Sequence, residues 1–412
     1  MPSWTRFIDT RLAQLPGGVN LQWPGGQAGA PGSSVLLRLR NRQLLKYLAS
    51  GRIGTLADAY VRGDLDIEGS LSDVMAVAGA LAGNPVARGR PLPWVHWLNH
   101  LRSRWQHHSP ARDRRQVQAH YDVSDAFYSL WLDPLRVYSC AYFADPGVSL
   151  ARAQEAKLDL ACRKLQLGRG MRFLDIGAGW GGLLMWAAQH YGVRGLGITA
   201  SRNQHAHVQS LIDAAGLNGQ VQVQLLDYRE LQGSAEFDRI ASVGMFEHVG
   251  SAQAQTYFDV LNRLLRPGGL LLNHAIAAGG VDNDQLGAGM GDFISRNIFP
   301  GGELLHVSHT AEALARAGLE LLDAENLRPH YARTLWAWSD SLERQLDAAR
   351  ALTNEATVRA YRLYLAGSAM CFERGWLALY QLLATKPELH TEGRQQWAAG
   401  SDYPYTRKHM LG

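Results

Sequence analysis

The chain has 412 residues, 46% of them hydrophobic and 19% charged, with a formal net charge of +4. That much apolar material excludes a disordered chain and suffices for a large core in two or three domains. Three widely spaced cysteines, Cys140, Cys162 and Cys371, form neither a disulfide framework nor a paired-cysteine metal motif, so no metal site is expected. Residues 17–34, rich in Gly, Pro, Ser and Ala, read as loop. Residues 35–83 read as a small module, with an alternating stretch at Val35–Leu39, the segment Tyr60–Gly69 and an apolar helix at Leu71–Leu81. Residues 84–119 combine prolines and arginines with Trp94, Trp97 and Trp105. They read as a basic connector, suited to a membrane interface or to packing on the next domain.

From about residue 150 strands and helices alternate. Strands are predicted at Met171–Ile176, Val193–Thr199, Val221–Leu226, Phe237–Val243 and Leu270–Ala275, with helices at Gly182–His190, Ser201–Ala215 and up to Leu265. This order predicts a mostly parallel sheet with helices on both faces. The Gly-rich residues 279–303 read as a lid or substrate loop, residues 340–385 as helical and aromatic, and the tail 391–412 as flexible. The expected domains are therefore 1–83, 84–119, 120–390 and the tail.

Charge is uneven. Residues 1–120 carry 15 Lys/Arg against 7 Asp/Glu. Such an excess suits nucleic acid, an anionic membrane surface or simply a solvated arginine-rich face. No apolar run is long enough for a transmembrane helix, and Met1 to Asp9 has no signal-peptide core, so a cytoplasmic location is expected.

The strongest motif is Phe173-Leu174-Asp175-Ile176-Gly177-Ala178-Gly179-Trp180-Gly181-Gly182, between a predicted strand and a helix. Glycines there allow a tight turn and close approach of a ligand to backbone N–H groups. The spacing Gly177-x-Gly179-x-x-Gly182 also fits a dinucleotide loop. Two features favour S-adenosylmethionine (AdoMet) instead. Asp175 precedes the glycines, where an acid can receive the methionine ammonium. The second strand ends Gly197-Ile198-Thr199-Ala200-Ser201, without the acid that a nicotinamide cofactor's ribose requires. Asp227, ending the third strand before Tyr228, is placed to meet the adenine amino group.

Several stretches now resemble cyclopropane-fatty-acyl-phospholipid synthases and the related mycolic acid cyclopropane synthases: His120–Val123, Tyr138–Phe143, Leu174–Gly182, Gly197–Ser201, Phe237–Gly250, Ile298–Pro300 and Pro329–Leu335. They cover residues 118–385 in the family's order. Tyr60–Gly69 is similar to the small N-terminal domain of the phospholipid-acting members. The resemblance implies a Rossmann-like AdoMet-dependent methyltransferase fold, a seven-stranded mostly parallel sheet with a small N-terminal domain and helical C-terminal additions. It implies methylene transfer to a cis double bond of an unsaturated phospholipid acyl chain, closing a cyclopropane ring through a carbocation that enzyme-bound bicarbonate deprotonates.

By the same resemblance, Tyr138, Ser139, Asp175, Gly177, Gly179, Thr199, Gln204, Asp227 and Tyr228 bind AdoMet. Cys140 and Ile276 (through their backbone), Glu247, His274 and Tyr331 hold bicarbonate. Peripheral attachment to an anionic membrane surface, no nucleic-acid partner and the option of a homodimer follow from it too. The alternative is a methyltransferase giving a methyl- or methylene-branched chain or an N-methylated amine.

Residue by residue the roles are reasonable. An alkene is a weak nucleophile, so the sulfonium methyl and the double bond must be aligned at near-attack distance. The cation needs a dry, aromatic wall, for which Phe246, Tyr331, Trp336 and Trp338 are candidates. Without the resemblance, Cys140 and His274 would read as buried core residues, His248 as packing or as support for the site, and Tyr361, Tyr364, Phe372, Trp376 and Tyr380 as ordinary core or as the lining of an acyl tunnel. Two departures from the family pattern stand out: Ala178 replaces a cysteine in the loop, and Ala275 replaces a threonine after His274.

Overall fold

The computed structural model describes residues 10, 12–29, 32–83, 125–281, 287–299, 302–392, 395–398 and 406–411. The basic connector with its tryptophans and the His120–Val123 stretch lie outside the described residues.

The N-terminal module has strands β1 (Val19–Trp23), β2 (Gly26–Ala28), β3 (Val35–Leu39) and β4 (Leu65–Glu68), with helices α1 (Leu45–Ala49), α2 (Ile53–Val61) and α3 (Leu71–Ala82). Its sheet runs β2-β1-β3-β4, with β1 parallel to β3 and antiparallel to β2. Composition alone predicts loop across β1 and β2. The alternation Val19, Leu21 is short, but both side chains are buried and set the pairing. Ser70 caps α3, its Oγ accepting from Asp73 N at 3.1 Å.

After α4 (Asp125–Ser129) and α5 (Leu150–Lys164) the main sheet begins. In chain order follow β5 (Arg172–Ile176), α6 (Gly182–Tyr191), β6 (Arg194–Thr199), α7 (Arg202–Ala214), β7 (Val221–Leu225), β8 (Phe237–Val243), α8 (Ala254–Leu264) and β9 (Leu265–Ala278). Then come α9 (Met290–Asn297), α10 (Val307–Arg316), β10 (Glu320–Asn326), α11 (Arg328–Glu343), α12 (Leu346–Leu352), α13 (Glu355–Glu373) and β11 (Leu377–Thr385). The seven strands are ordered β10-β11-β9-β8-β5-β6-β7. All neighbours from β9 to β7 are parallel, and β11 alone runs against both its neighbours. The expected Rossmann-like fold is therefore present. The direction of winding reverses between β5 and β8, the position at which doubly wound sheets bind ligands beyond their strand ends.

One difference from the expectations has a physical cause. Residues 340–385 are not helical throughout, because Leu377–Thr385 is a strand inside the sheet. Buried along nearly all its length, it reads as a mostly apolar stretch interrupted by Gln381, without the alternation that would distinguish a strand from buried helix. The tail forms a hairpin, β12 (Leu389–Glu392) on β13 (Gln395–Ala398), and a last helix α14 (Lys408–Leu411). Arg163 donates to the Met410 carbonyl, which docks that helix on α5.

The module is clamped to the larger body. Gly54 N donates to Ala288 O at 3.0 Å, and a Cβ on Gly54 would sit 1.8 Å from Gly289 O, so no other residue fits at this contact. That explains a glycine in the first turn of α2 despite a helix cost of about 1 kcal/mol against alanine. Arg359 on α13 donates to Tyr60 O at 2.9 Å and Asp66 Oδ1 at 3.0 Å, and Asn297 on α9 donates to Asp58 Oδ1 at 3.0 Å.

Candidate active site

β5 delivers Asp175 and then a loop whose Gly177, Gly179 and Gly181 have φ of 78°, 56° and 88°. A Cβ on Gly177 would also meet the Met245 side chain at 2.9 Å, so glycine is required both by conformation and by space. The loop lines a pocket of about 160 Å³, together with all nine residues expected to bind AdoMet.

At the pocket floor Asp175 is buried, and that burial pushes its carboxyl up to about 7 against the opposing pull of Lys157. Its Oδ2 has no hydrogen-bond partner among the described residues. Lys157, on α5, is fully buried, and loss of hydration pushes its ammonium down to about 8. Its Nζ donates to Ser139 Oγ at 2.8 Å. Nothing in the sequence marks Lys157, one of two lysines in a helix of mixed composition. Thr199 Oγ1 donates to Gln204 Oε1 at 2.8 Å and accepts from Ser201 N at 3.1 Å, which orients the glutamine amide. Asp227 lines the pocket and is also paired with Arg229. Its two oxygens accept from Arg229 Nε at 2.8 Å and Nη2 at 2.7 Å, so an adenine amino group would have to share that carboxylate.

Cys140, Glu247, His274, Ile276 and Tyr331 all line one larger cavity of about 810 Å³. Tyr138, Ser139, Gly244 and His248 line both spaces, so the two meet there. His248, read from sequence as packing or as support for the site, is thus at the junction.

Glu247 lies in a short turn after β8. Its Oε1 accepts from Ile276 N at 2.8 Å, and Oε2 has no partner among the described residues. Burial pushes its carboxyl up to about 7, so much of it keeps its proton at neutral pH. His274 projects from β9. Gln381 Nε2 lies 3.1 Å from its Nδ1, and Gln381 Oε1 accepts from Lys164 Nζ at 2.7 Å. An ammonium can only donate, so Lys164 fixes the Gln381 amide with its NH2 toward the imidazole. His274 Nδ1 must then accept, and the ring proton sits on Nε2, an atom with no partner among the described residues. Burial, then the charges of Lys157 and Lys164, hold His274 far below the usual histidine range, hence neutral. Gln381 and Lys164 were not singled out from sequence, where β11 resembles helix.

The other residues resolve the expectations in detail. The Cys140 thiol is buried, which pushes it well above its ordinary range; the role expected of this residue is its backbone's. Ile276 N–H is engaged by Glu247, so it orients that carboxylate and is not open to an anion. The Tyr331 ring packs on Phe372 at 4.7 Å. Of the aromatic wall expected from sequence, only Tyr331 lines the cavity. Phe246 packs with Tyr257 and Phe258, Trp338 with Trp131 and Tyr138, and Trp336 donates to Glu373. Of the aromatics that read as core or tunnel lining, Tyr364 and Phe372 face the cavity, with Phe299.

The family model for mycolic acid cyclopropane synthetase matches residues 108–382. The chain belongs to this family. It is an AdoMet-dependent methyltransferase of that family. A protein of Pseudomonas putida described as a probable fatty acid methyltransferase is 41% identical over 94% of this chain and 94% of its own. A Mycobacterium tuberculosis protein with the same description is 36% identical over 88% of this chain and 90% of its own. The solved structure of mycolic acid cyclopropane synthase CmaA1 complexed with SAH and CTAB has a TM-score of 0.63 and 37% identity, covering 66% of this chain and 98% of that one.

Proposed function

We propose that this protein methylates a cis double bond of an unsaturated phospholipid acyl chain with AdoMet and closes a cyclopropane ring. The observation that carries the reading is the junction of the two spaces. A glycine-loop pocket opens at Tyr138, Ser139, Gly244 and His248 into a mostly apolar cavity whose wall presents Glu247 Oε2 and His274 Nε2. The glycine loop and Asp175 hold AdoMet, with the Asp175 carboxyl receiving the methionine ammonium. The double bond lies across the junction, where the C–S bond breaks as the new C–C bond forms. The faces of Tyr331, Phe372 and Tyr364 offset the cation, at about 0.5–2 kcal/mol each.

A protonated Glu247 and the Nε2–H of His274 are two donors beside one cavity, a set that fits a small oxyanion. Bicarbonate held by these groups and Tyr331 would supply the base that takes a proton from the transferred methyl. Gln381 and Lys164 keep the histidine proton on the cavity side. Access to the lipid is at an anionic membrane surface, met by the basic N-terminal third; among the described residues no helix is long and apolar enough to cross a membrane.

A second reading, a methyl- or methylene-branched chain, is favoured by the description of the near full-length relatives as fatty acid methyltransferases. The test is incubation with methyl-labelled AdoMet, vesicles of dioleoyl phosphatidylglycerol and a soluble amine. Label in the lipid with loss of the alkene is expected. Label in the amine alone would overturn the lipid reading.

A further inference from the structure

The 810 Å³ cavity does not end at the catalytic residues. It continues past Met290 and Phe293 on α9 and Leu363 and Met370 on α13 into the N-terminal module. There β3, β4 and the helices α1 to α3 supply its lining, among them Leu37, Leu48, Leu56, Leu65, Val74 and Met75. Every described residue the module contributes to this wall is apolar or glycine. All six named side chains are buried from solvent, yet they border open volume inside the fold. Interiors are normally packed with few voids larger than a water molecule, so an apolar volume of this extent is a ligand site rather than ordinary core. The wall is also held in place, since Gly54 meets Gly289 backbone to backbone and Arg359 and Asn297 tie α2 and β4 to the catalytic body.

We infer that the N-terminal module forms the far end of the acyl site and takes the methyl-terminal segment of the chain beyond the double bond. The inference rests on the lipid reading above. Continuity with the catalytic cavity sets the occupant, because the alkene must lie at the junction with the AdoMet pocket and the rest of the chain must run somewhere. Among the described residues, the module lines this arm with no polar side chain, which selects the hydrocarbon end over the headgroup end. The module then has a role in selecting chains as well as in reaching the membrane. The family model begins at residue 108, beyond this module, whereas the Pseudomonas putida relative matches 94% of the chain. Specificity set here would therefore separate the longer relatives from those that lack the module.

The test uses phospholipids whose double bond lies at one fixed distance from the carboxyl carbon and whose chains differ only in length beyond it. Ala78 lines the arm from α3, so a ring placed there projects into the cavity and shortens it. Ala78→Phe in the full-length protein should raise the ratio of short-tail to long-tail turnover by about tenfold or more, the discrimination expected when a pocket loses room for a methylene. A second measurement does not depend on that variant folding. A phospholipid carrying a diazirine at the terminal end of its acyl chain, photolysed on the wild-type protein, should label peptides of residues 35–81. Labelling confined to peptides beyond residue 125, or a length preference unmoved in a folded Ala78→Phe protein, overturns the inference. Wild-type protein that methylates no acyl chain overturns the lipid reading beneath it, a different result.

Discussion

Glu247→Gln separates chemistry from packing. Gln keeps the shape and can still accept from Ile276 N–H, which Glu247 Oε1 does at 2.8 Å. It loses only the proton that burial makes the carboxyl retain. That proton carries a stability consequence of definite sign. The pKa rises from 4.5 to about 7 on folding, and at 1.36 kcal/mol per unit this amounts to about 3 kcal/mol. The folded chain holds the proton more tightly than the unfolded one. Glu247's contribution is therefore complete below about pH 4.5, declines as the pH rises and is lost above about 7. The variant has no such group, so the stability difference between it and the wild type should move in its favour by about 2–3 kcal/mol between roughly pH 5 and pH 8. Urea unfolding of both proteins at the two pH values reads this directly. Turnover on unsaturated lipid should fall by roughly 10²–10⁴-fold, the range for loss of positioned proton transfer, while AdoMet affinity by calorimetry stays within about twofold, far below the tenfold that 1.4 kcal/mol brings. Unchanged turnover, or a loss of AdoMet affinity equal to the loss of turnover, would refute the role. A stability difference that ignores pH would refute the effect of burial.

Three further outcomes are expected. Gln381→Leu leaves His274 Nδ1 without its donor and should cost about 1–3 kcal/mol of stability, whereas Gln381→Glu presents an acceptor and should move the ring proton to Nδ1; nitrogen NMR of labelled imidazole distinguishes the tautomers, and an unchanged spectrum in both variants contradicts the relay from Lys164. Gly177→Ala forces a side chain into a left-handed position 2.9 Å from Met245 and should cost roughly 1–2 kcal/mol with a parallel loss of AdoMet affinity, read by thermal shift and calorimetry. Association with anionic vesicles should weaken steeply between low and high salt, since exposed charges are screened within about 8 Å at physiological ionic strength; salt-insensitive flotation contradicts basic docking.

The part of the fold built from local signals was legible in the sequence. Strands β5, β6, β7 and β8 lie within a residue or two of their predicted bounds, because each is a short β-rich run closed by Gly or a polar turn. The glycine loop and Asp175 were legible for the same reason, since their chemistry depends on neighbours in the chain. Strand β11 was not, because full burial removes the alternation that marks a strand. Lys157, Lys164 and Gln381 were also invisible. Their roles come from contacts across the fold, as between Lys164 and Gln381, 217 positions apart. The aromatic wall failed similarly: helical spacing does not say which side of α11 or α13 meets the cavity, and Tyr364 and Phe372 face it where Trp336 and Trp338 do not.

The measurement that tests the central claim most directly is the fate of the transferred hydrogens. The wild-type protein is incubated with AdoMet bearing a trideuterated methyl group and an unsaturated phospholipid, and the lipid product is analysed by mass spectrometry. Attack by the alkene followed by loss of one hydrogen from the new methyl predicts a saturated ring carrying two of the three deuteriums. A product that keeps all three, or that keeps an alkene, would contradict ring closure at the Glu247–His274 site.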